Sequence, residues 1–495
     1  MTIAFSEIPS NLRVPLFYTE ITGSASSAAT QRSLLVGQLT SAGTATANTP
    51  VAVTSFGQSR TLFGEGSQLS LMVQKYLDND PFGVLYCLPV ADNGSGTAQA
   101  YTITVGTATA ATEAGTFYVY AAGRRIPVAV TIGDEDSDVA ISIKAALDAE
   151  SDLPFTTAIT DDTDDNLVVL TCRNKGASAG DWTVGINDGG VAAGESLPAG
   201  VVITSVSSTA TGATEPTLTT AITNMADDPY DFIGFPYTDS TNLAAIVAEV
   251  SRRWGATVMV YGMVFTAARG SQSTITTLAG NYDEKALTIL GFDGARCADY
   301  ERAAAYCGAS ALQLKNHPAR PLTTVPLKGV DVTPEASVYT LAERNLMANN
   351  GAAFAAPDAT RKYDRIGVPV TTYLTNADGA SSTTFWRAER TATAMRYVRR
   401  IKSKIEATFA RALLVANGTP VAAGIPAATP NAIKQVIVSE TEASVLDGWI
   451  QGLDNFASSI LVEINDSSPG RVDVYCTPEL ADQLTVVATR MEFQG

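Results

Sequence analysis

The hydrophobic pattern divides the chain into blocks of different period. LLVGQL (34–39) is a first apolar strand, and VAVTS followed by SRTLFGEGSQLSLMVQKYLDND reads as a strand and a helix. In that helix Ser67 is placed to cap, and Leu69, Met72, Val73, Tyr76 and Leu77 share one face. GVLYCLPV (83–90) is a continuous apolar run suited to a buried strand. From about 92 to 212 the chain turns to alternation, in AYTITV, TFYVYAAGRRIPVAV, NLVVLTCR and DWTVGI, interrupted by one helix over 136–149. This stretch begins and ends in polar, Gly-rich loops, as an inserted module does, so its two ends are expected close together. After 215, strands alternate with helices. DDPYDFIGFPY leads to a helix capped at 238–240, with Leu243, Ile246, Val247, Val250 and Trp254 on one face. ATVMVYGMVF, a helix opening on Ser271, ALTILGF and the helix DYERAAAYCGASALQLK follow. Such an order implies a largely parallel sheet with helices on its faces.

Residues 316–382 are rich in Pro and Thr, with a helix around 336–350 and strand-like pieces in RKYDRIGVPVTTYLT that are expected to support the helix after them. That helix, over 383–417, is long and amphipathic. Ala394, Val398, Ile401, Ile405, Phe409 and Ala412 recur at steps of three and four, while Arg396, Arg399, Arg400, Lys404 and Arg411 fall on the opposite face. Gly418 and Pro420 stop it. RVDVYC then reads as a strand, Thr477-Pro478 as a helix start, and VVATRMEF as a strand close to the last residue. At the other end, Pro9 and Pro15 keep the first 22 residues extended, with enough apolar side chains over 14–21 for a short strand. An arm of this kind cannot bury itself and needs another sheet to join.

Composition narrows the class. At 495 residues the chain is long for one domain, and 45% hydrophobic with 17% charged is ordinary globular material. No apolar run reaches the roughly 18–20 residues of a membrane helix, and MTIAFSEIPS lacks the charged and apolar regions of a signal peptide. Neither membrane insertion nor a cleaved leader is expected. The net charge of −17 argues against a general nucleic-acid binder. It is uneven: residues 1–230 carry 9 Lys and Arg against 24 Asp and Glu, residues 231–495 carry 24 against 26. Five scattered cysteines without a CxxC pair read as reduced, mostly buried thiols.

Candidate chemistry adds little. A single histidine, His317, nearly excludes a His-based triad or a multi-His metal site. Gly176-Ala177-Ser178-Ala179-Gly180 matches the nucleophile-elbow pattern, but strand-like DWTVGI follows it, so it reads as a small-residue turn. Gly64-Glu65-Gly66 lacks the third glycine of a dinucleotide loop, and the run Asp161-Asp162-Thr163-Asp164-Asp165 lacks the Gly and distal Glu of a calcium loop. No catalytic residue, cofactor or metal is expected, and the chain is not read as an enzyme.

The two ends carry a resemblance. Ile8, Pro9, Asn11, Arg13, Val14 and Pro15 in IPSNLRVP, with Phe17 and Tyr18 in FYTE, resemble the N-terminal arm of Mu-type contractile-tail sheath proteins. RVDVYCTPELADQLTVVATRMEFQ (471–494) is similar to that family's closing segment, whereas Leu16 stands where many sheath arms carry glycine. The resemblance implies a mixed α+β and α/β multidomain fold. Its parts would be an arm (1–22), an α/β sheath core (23–91 and 213–375), an inserted β-rich domain on the outer radius (92–212), and a C-terminal α+β inner domain (376–495) completed by strand exchange between subunits. It further implies hexameric rings stacked helically around a tail tube, contracting without nucleotide to drive the tube through the host envelope. The implied partners are further copies of the chain, the tube protein, and baseplate and tail-terminator proteins, in a virion tail assembled in the host cytoplasm. The arm residues and Val487, Thr489, Met491 and Phe493 are the expected linkage between subunits; Arg396, Arg399, Arg400, Lys404 and Arg411 are the expected tube-facing surface. The sheath of a tail-derived injection device, or another virion structural β protein, is the alternative.

Overall fold

The structure, a computed structural model, describes residues 31–106, 110–160, 165–422, 425–468 and 470–493. Strand β1 (Arg32–Gln38) is buried on both faces, as its apolar run requires. A short β2 (Val51–Val53) leads into α1 (Phe56–Phe63) and α2 (Gln68–Asn79). Ser67 caps α2 as expected, its hydroxyl accepting from the Ser70 N–H at 3.2 Å. β3 (Val84–Val90) then pairs parallel to β1.

At the end of β3 the chain leaves for the inserted module. β4 (Ala100–Val105), β5 (Gly115–Ala121) and β6 (Arg124–Val130) precede α3 (Asp136–Asp148), which matches the expected helix. β7 (Phe155–Ile159), β8 (Leu167–Cys172), β9 (Val184–Ile186) and β10 (Ile203–Ala210) complete it. One sheet runs β10-β4-β8-β7 and the other β6-β5-β9. Between them Trp182 lies 4.8 Å from Phe155 and 5.0 Å from Tyr101, ring centre to ring centre. A bridge between Thr97 and Ala213 brings the two ends of the module together.

The chain returns through α4 (Thr219–Asn224) to β11 (Phe232–Gly234), then α5 (Ser240–Arg253), β12 (Met263–Arg269), α6 (Gln272–Gly280), β13 (Leu287–Phe292) and α7 (Asp299–Asn316). β14 (Pro326–Leu327), α8 (Leu341–Asn349), β15 (Ala353–Pro357) and β16 (Asp364–Ile366) follow. All the core strands form one sheet of nine, ordered β14-β16-β15-β13-β12-β11-β1-β3-β2, parallel from β15 to β3. Residues 364–366 extend the core sheet as β16, while Pro369 to Thr371 bond to residues 386–388 and so support the start of the C-terminal helix as expected. The sheet grows by edge pairing: β13 offers β15 an unoccupied parallel edge beside buried Leu290. Leu35, Phe232, Phe265 and Leu290 face α2 and α7, while Leu34, Ile233, Val264 and Ile289 pack with Ile246 of α5 and Ile275 of α6. Two glycines permit the closest contacts. A Cβ on Gly308 of α7 would lie 2.7 Å from the Tyr76 carbonyl oxygen of α2, and one on Gly234 would lie 2.4 Å from Leu35 Cδ2.

The C-terminal part holds α9 (Ala388–Phe409), β17 (Leu413–Leu414), β18 (Ala427–Ala428), α10 (Pro430–Leu446), β19 (Ile450–Gln451), α11 (Leu453–Ser459), β20 (Leu461–Ile464), β21 (Val472–Tyr475) and β22 (Glu479–Leu480). RVDVYC is the expected strand, but Thr477-Pro478 starts no helix. Residues 479–480 pair antiparallel with β19 instead, which buries Leu480 beside Trp449 and Ile450. A helix of one or two turns there would be marginal without tertiary support, so this burial decides the conformation.

Candidate assembly surfaces

Helix α9 ties the C-terminal part to the core. Its first turns are buried, with Ala388, Ala392 and Met395 at or near zero exposure, and Arg387 pairs with Glu389 at 3.0 Å. Further along, Ala394, Val398 and Ile401 pack on Tyr397, Trp449 and Ile450, while Ile405, Phe409 and Ala412 join Phe456 and Ile437. This is the apolar stripe read from the sequence.

Four of the five basic residues opposite that stripe are also engaged within the chain. Arg399 pairs with Asp231 at the foot of β11 and donates to the Val260 carbonyl at 3.0 Å. Arg396 donates to the Lys315 carbonyl at 2.6 Å, placing a cation at the negative end of α7. Burial and the neighbouring Arg400 hold the Arg396 pKa below the ordinary arginine value. Arg400 reaches Asp447 at 2.7 Å and lies 4.6 Å from the Trp449 ring centre; Lys404 pairs with Glu440 at 3.1 Å. Arg411, past the helix end, is exposed. Arg399→Ala would leave the Asp231 carboxylate, 2% exposed, with a backbone contact from Arg32 at 3.1 Å. The expected loss is about 2–4 kcal/mol, read as faster hydrogen exchange along α9.

The far end of the chain is open. β20 and β21 form a two-stranded hairpin in which Leu461 faces Tyr475 and Ile464 faces Val472. Val462 and Val472 pack toward Phe456 and Ile437, while Leu461 and Tyr475 are 56% and 63% exposed. Among the described residues neither edge of this hairpin has a neighbour; such two-stranded pieces are marginal on their own. The tail is held as far as Thr485: Ala481 N–H donates to the Trp449 carbonyl at 3.0 Å, Gln483 Nε2 to the Ala319 carbonyl at 3.2 Å, and Arg387 Nη1 to Thr485 Oγ1 at 3.0 Å. Beyond it, Val487, Thr489, Met491 and Phe493 are exposed, Phe493 at 91%, and no ladder pairs them among the described residues. The expected closing strand is therefore unpaired in the single chain. Ile8, Pro9, Asn11, Arg13, Val14, Pro15, Phe17 and Tyr18 lie outside the described residues.

Other sequence candidates serve the fold. Gly176, at φ +105°, makes the turn of the GxSxG stretch, and Ser178 Oγ donates to Glu215 Oε1 at 2.9 Å. His317 Nε2 lies 2.8 Å from the Asp447 carbonyl oxygen, joining the end of α7 to that of α10. Asp161 to Asp164 are outside the described residues. Among the described residues no group of three or more His, Cys, Asp or Glu could hold a metal. Cys87, Cys172, Cys297 and Cys307 are buried, and burial pushes the Cys172 thiol up to about 11. Helix α10 and strand β20 are not among the expected elements, although each carries a local signal. Thr429-Pro430 followed by Ile433, Ile437 and Thr441 signals the first, and alternation in LVEI before the turn residues NDSSPG signals the second.

An open hairpin and an exposed apolar tail, beside a helix locked to the core, are the features of a subunit of a larger assembly. Residues 94–204 match the phage tail sheath protein beta-sandwich domain and residues 211–364 the phage tail sheath protein central domain. Over its full length, and the full length of that relative, the chain is 30% identical to the Mu-like prophage FluMu tail sheath protein of Haemophilus influenzae. The chain belongs to the phage tail sheath family; it is a structural subunit of a polymeric contractile sheath. Solved structures similar to it include the sheath tail protein of Desulfitobacterium hafniense, at 12% identity and TM-score 0.46 over 94% of this chain and 100% of that one. A chain of the anti-feeding prophage baseplate is similar at 9% identity and TM-score 0.49, over 98% of this chain and 99% of that one.

Proposed function

We propose that this chain assembles as stacked hexameric rings around a tail tube and that the resulting sheath shortens to drive the tube through a host cell envelope. The observation that carries the subunit linkage is the presence in one chain of an open-edged hairpin, β20–β21, and an exposed tail of alternating Val487, Thr489, Met491 and Phe493. Strands added from neighbouring copies, the arm at 1–22 and the tail, complete such a hairpin by β-augmentation. Backbone hydrogen bonds between copies then persist while side-chain contacts are exchanged, so rings stay connected as they move. The free energy released comes from a bistable interface and not from a nucleotide. Tube, baseplate and terminator proteins are the further partners, in a virion tail put together in the host cytoplasm. The acidic module at 92–212, whose two ends meet at the bridge between Thr97 and Ala213, suits the outer radius. Negative-stain microscopy of the purified chain is expected to show tubes or stacked rings; a monodisperse monomer at high concentration counts against the reading.

The tube contact is assigned to Arg411 and to Lys404, whose side chain stays 50% exposed beside Glu440 of α10, whereas Arg396, Arg399 and Arg400 are more deeply committed to the core and to α10. Exposed pairs of this kind contribute at most about 1 kcal/mol each, which suits a contact that must release. Reversing both charges is expected to leave tube-free polymers intact and to reduce assembly on tubes; unchanged assembly on tubes would move the contact elsewhere.

A further inference from the structure

In α/β folds the N-termini of helices open at the carboxyl edge of the parallel strands, where ligands are commonly taken. Here the inserted module contributes at two of these helix starts. The first N–H of α2, on Gln68, donates to Asn174 Oδ1 at 3.0 Å. Asn174 in turn donates to the Leu39 carbonyl at 2.8 Å and to Asp92 Oδ1 at 2.9 Å. Helix α7 begins after Ala298, whose methyl group offers no cap, and the N–H of Asp299 donates across to Asp181 Oδ2 at 2.8 Å. Side chains from the module thus satisfy orphan donors of both core helices.

At α7 the arrangement carries a second feature. Arg269, at the end of β12, donates through Nη2 to Asp181 Oδ2 at 3.2 Å and through its backbone N–H to Asp299 Oδ2 at 3.0 Å. Arg269 Nε also lies 3.6 Å from Asp299 Oδ1. One guanidinium therefore stands against two acids across the junction. The neighbouring polar groups are engaged elsewhere: Tyr101 of the module donates to the Trp182 carbonyl at 3.1 Å, Glu301 of α7 pairs with Lys75 at 3.5 Å, and Tyr339 donates to the Gly270 carbonyl at 2.5 Å. The nearby pair of Arg296 and Asp188, at 3.3 Å, is a second ionic contact across the junction.

We propose that Asp181 and Asp299, bridged by Arg269, form a proton-holding latch that fixes the inserted module on the core. With one proton on the pair, Asp181 keeps a lone pair for the α7 N–H and Arg269, which reaches both acids, balances the single remaining charge. With none, two like charges face each other in a half-buried site. Burial, and then Asp181, hold the Asp299 carboxyl well above the usual carboxylate range. Docking therefore takes up a proton: the hold is complete at low pH and weakens as pH rises through the raised value.

Hydrogen exchange on the full-length chain, corrected for the intrinsic pH dependence of exchange, tests this in peptides covering 176–186 and 298–304. Wild-type protection is expected to fall about tenfold or more between about pH 5 and about pH 9. Asp299→Asn, a neutral stand-in for the protonated acid, is expected to keep protection and flatten the profile; Asp181→Ala, without the cap, is expected to lower it throughout. A flat wild-type profile, or an Asp299→Asn profile parallel to wild type, overturns the proposal. If Asp299→Asn does not fold, Asp181→Asn, which keeps an acceptor for the helix, makes the same comparison.

Discussion

Removal of residues 486–495 is expected to abolish sheath polymers while leaving the melting temperature of the subunit almost unchanged. The two halves of that expectation have separate grounds. The tail is tied to its own chain at Ala481, Gln483 and Thr485, all of which the truncation keeps. Past Thr485 the described side chains are exposed, with Val487 at 71%, Met491 at 74% and Phe493 at 91%, so removing them withdraws nothing from the core. In an assembly the same residues would bury their apolar side and form ladder bonds to a neighbour. At about 0.5–1.5 kcal/mol per hydrogen bond, plus about 25 cal/mol per Å² of apolar surface covered, each lost linkage removes several kcal/mol of association. That corresponds to a loss of roughly a thousandfold or more in affinity per contact. Differential scanning fluorimetry and negative-stain microscopy read the two halves independently. Polymers that survive the truncation would place the linkage elsewhere, and a large fall in melting temperature would mean that the tail serves its own chain.

The largest effect on the subunit itself is expected from Asp364→Ala. Asp364 on β16 and Arg302 on α7 are both fully buried and meet at 2.6 Å. The carboxylate also accepts from Thr333 Oγ1 at 2.7 Å, and Arg302 donates to the Asp331 carbonyl at 2.6 Å while lying 4.1 Å from the Phe292 ring centre. Such a pair contributes modest net stability, because desolvation offsets most of the attraction. Removing one member is different, since it leaves a guanidinium in the core with no counter-charge. The expected loss is about 3–5 kcal/mol, enough to shift most of the chain into the insoluble fraction at fixed expression. Asp364→Asn keeps an acceptor for Thr333 and should fall between wild type and the alanine variant. A loss below about 1 kcal/mol for Asp364→Ala would mean that water reaches Arg302.

What could be read in advance follows the range of the interaction. Ser67, Asp239 and Ser271 each accept a hydrogen bond within three residues of themselves, and each was legible as a cap. The strands of the two smaller sheets were legible because their alternation differs from the period on either side. The basic face of α9 was half legible. A helical wheel separates Arg399 from Ile401 correctly, but it has one inside and one outside, whereas α9 touches the core on one side and α10 on another. Asp231, 168 residues from Arg399, carries no local sign of that pairing. Likewise nothing near Asp299 announces that its N–H is met by Asp181, 118 residues earlier.

The sequence by itself determined most of the local elements. Apolar runs, cap residues and prolines act over a few residues, so their outcome can be read without knowing what packs against them. The tertiary structure alone decided which edges and charges were already taken. It placed β15 and β16 on the core sheet, paired residues 479–480 with β19, and turned Arg396, Arg399 and Arg400 inward. It left the β20–β21 hairpin and Val487 to Phe493 without partners among the described residues. Those outcomes depend on which surfaces meet once the chain is compact, and burial of a single Leu480 or Asp231 outweighs the local preference around it.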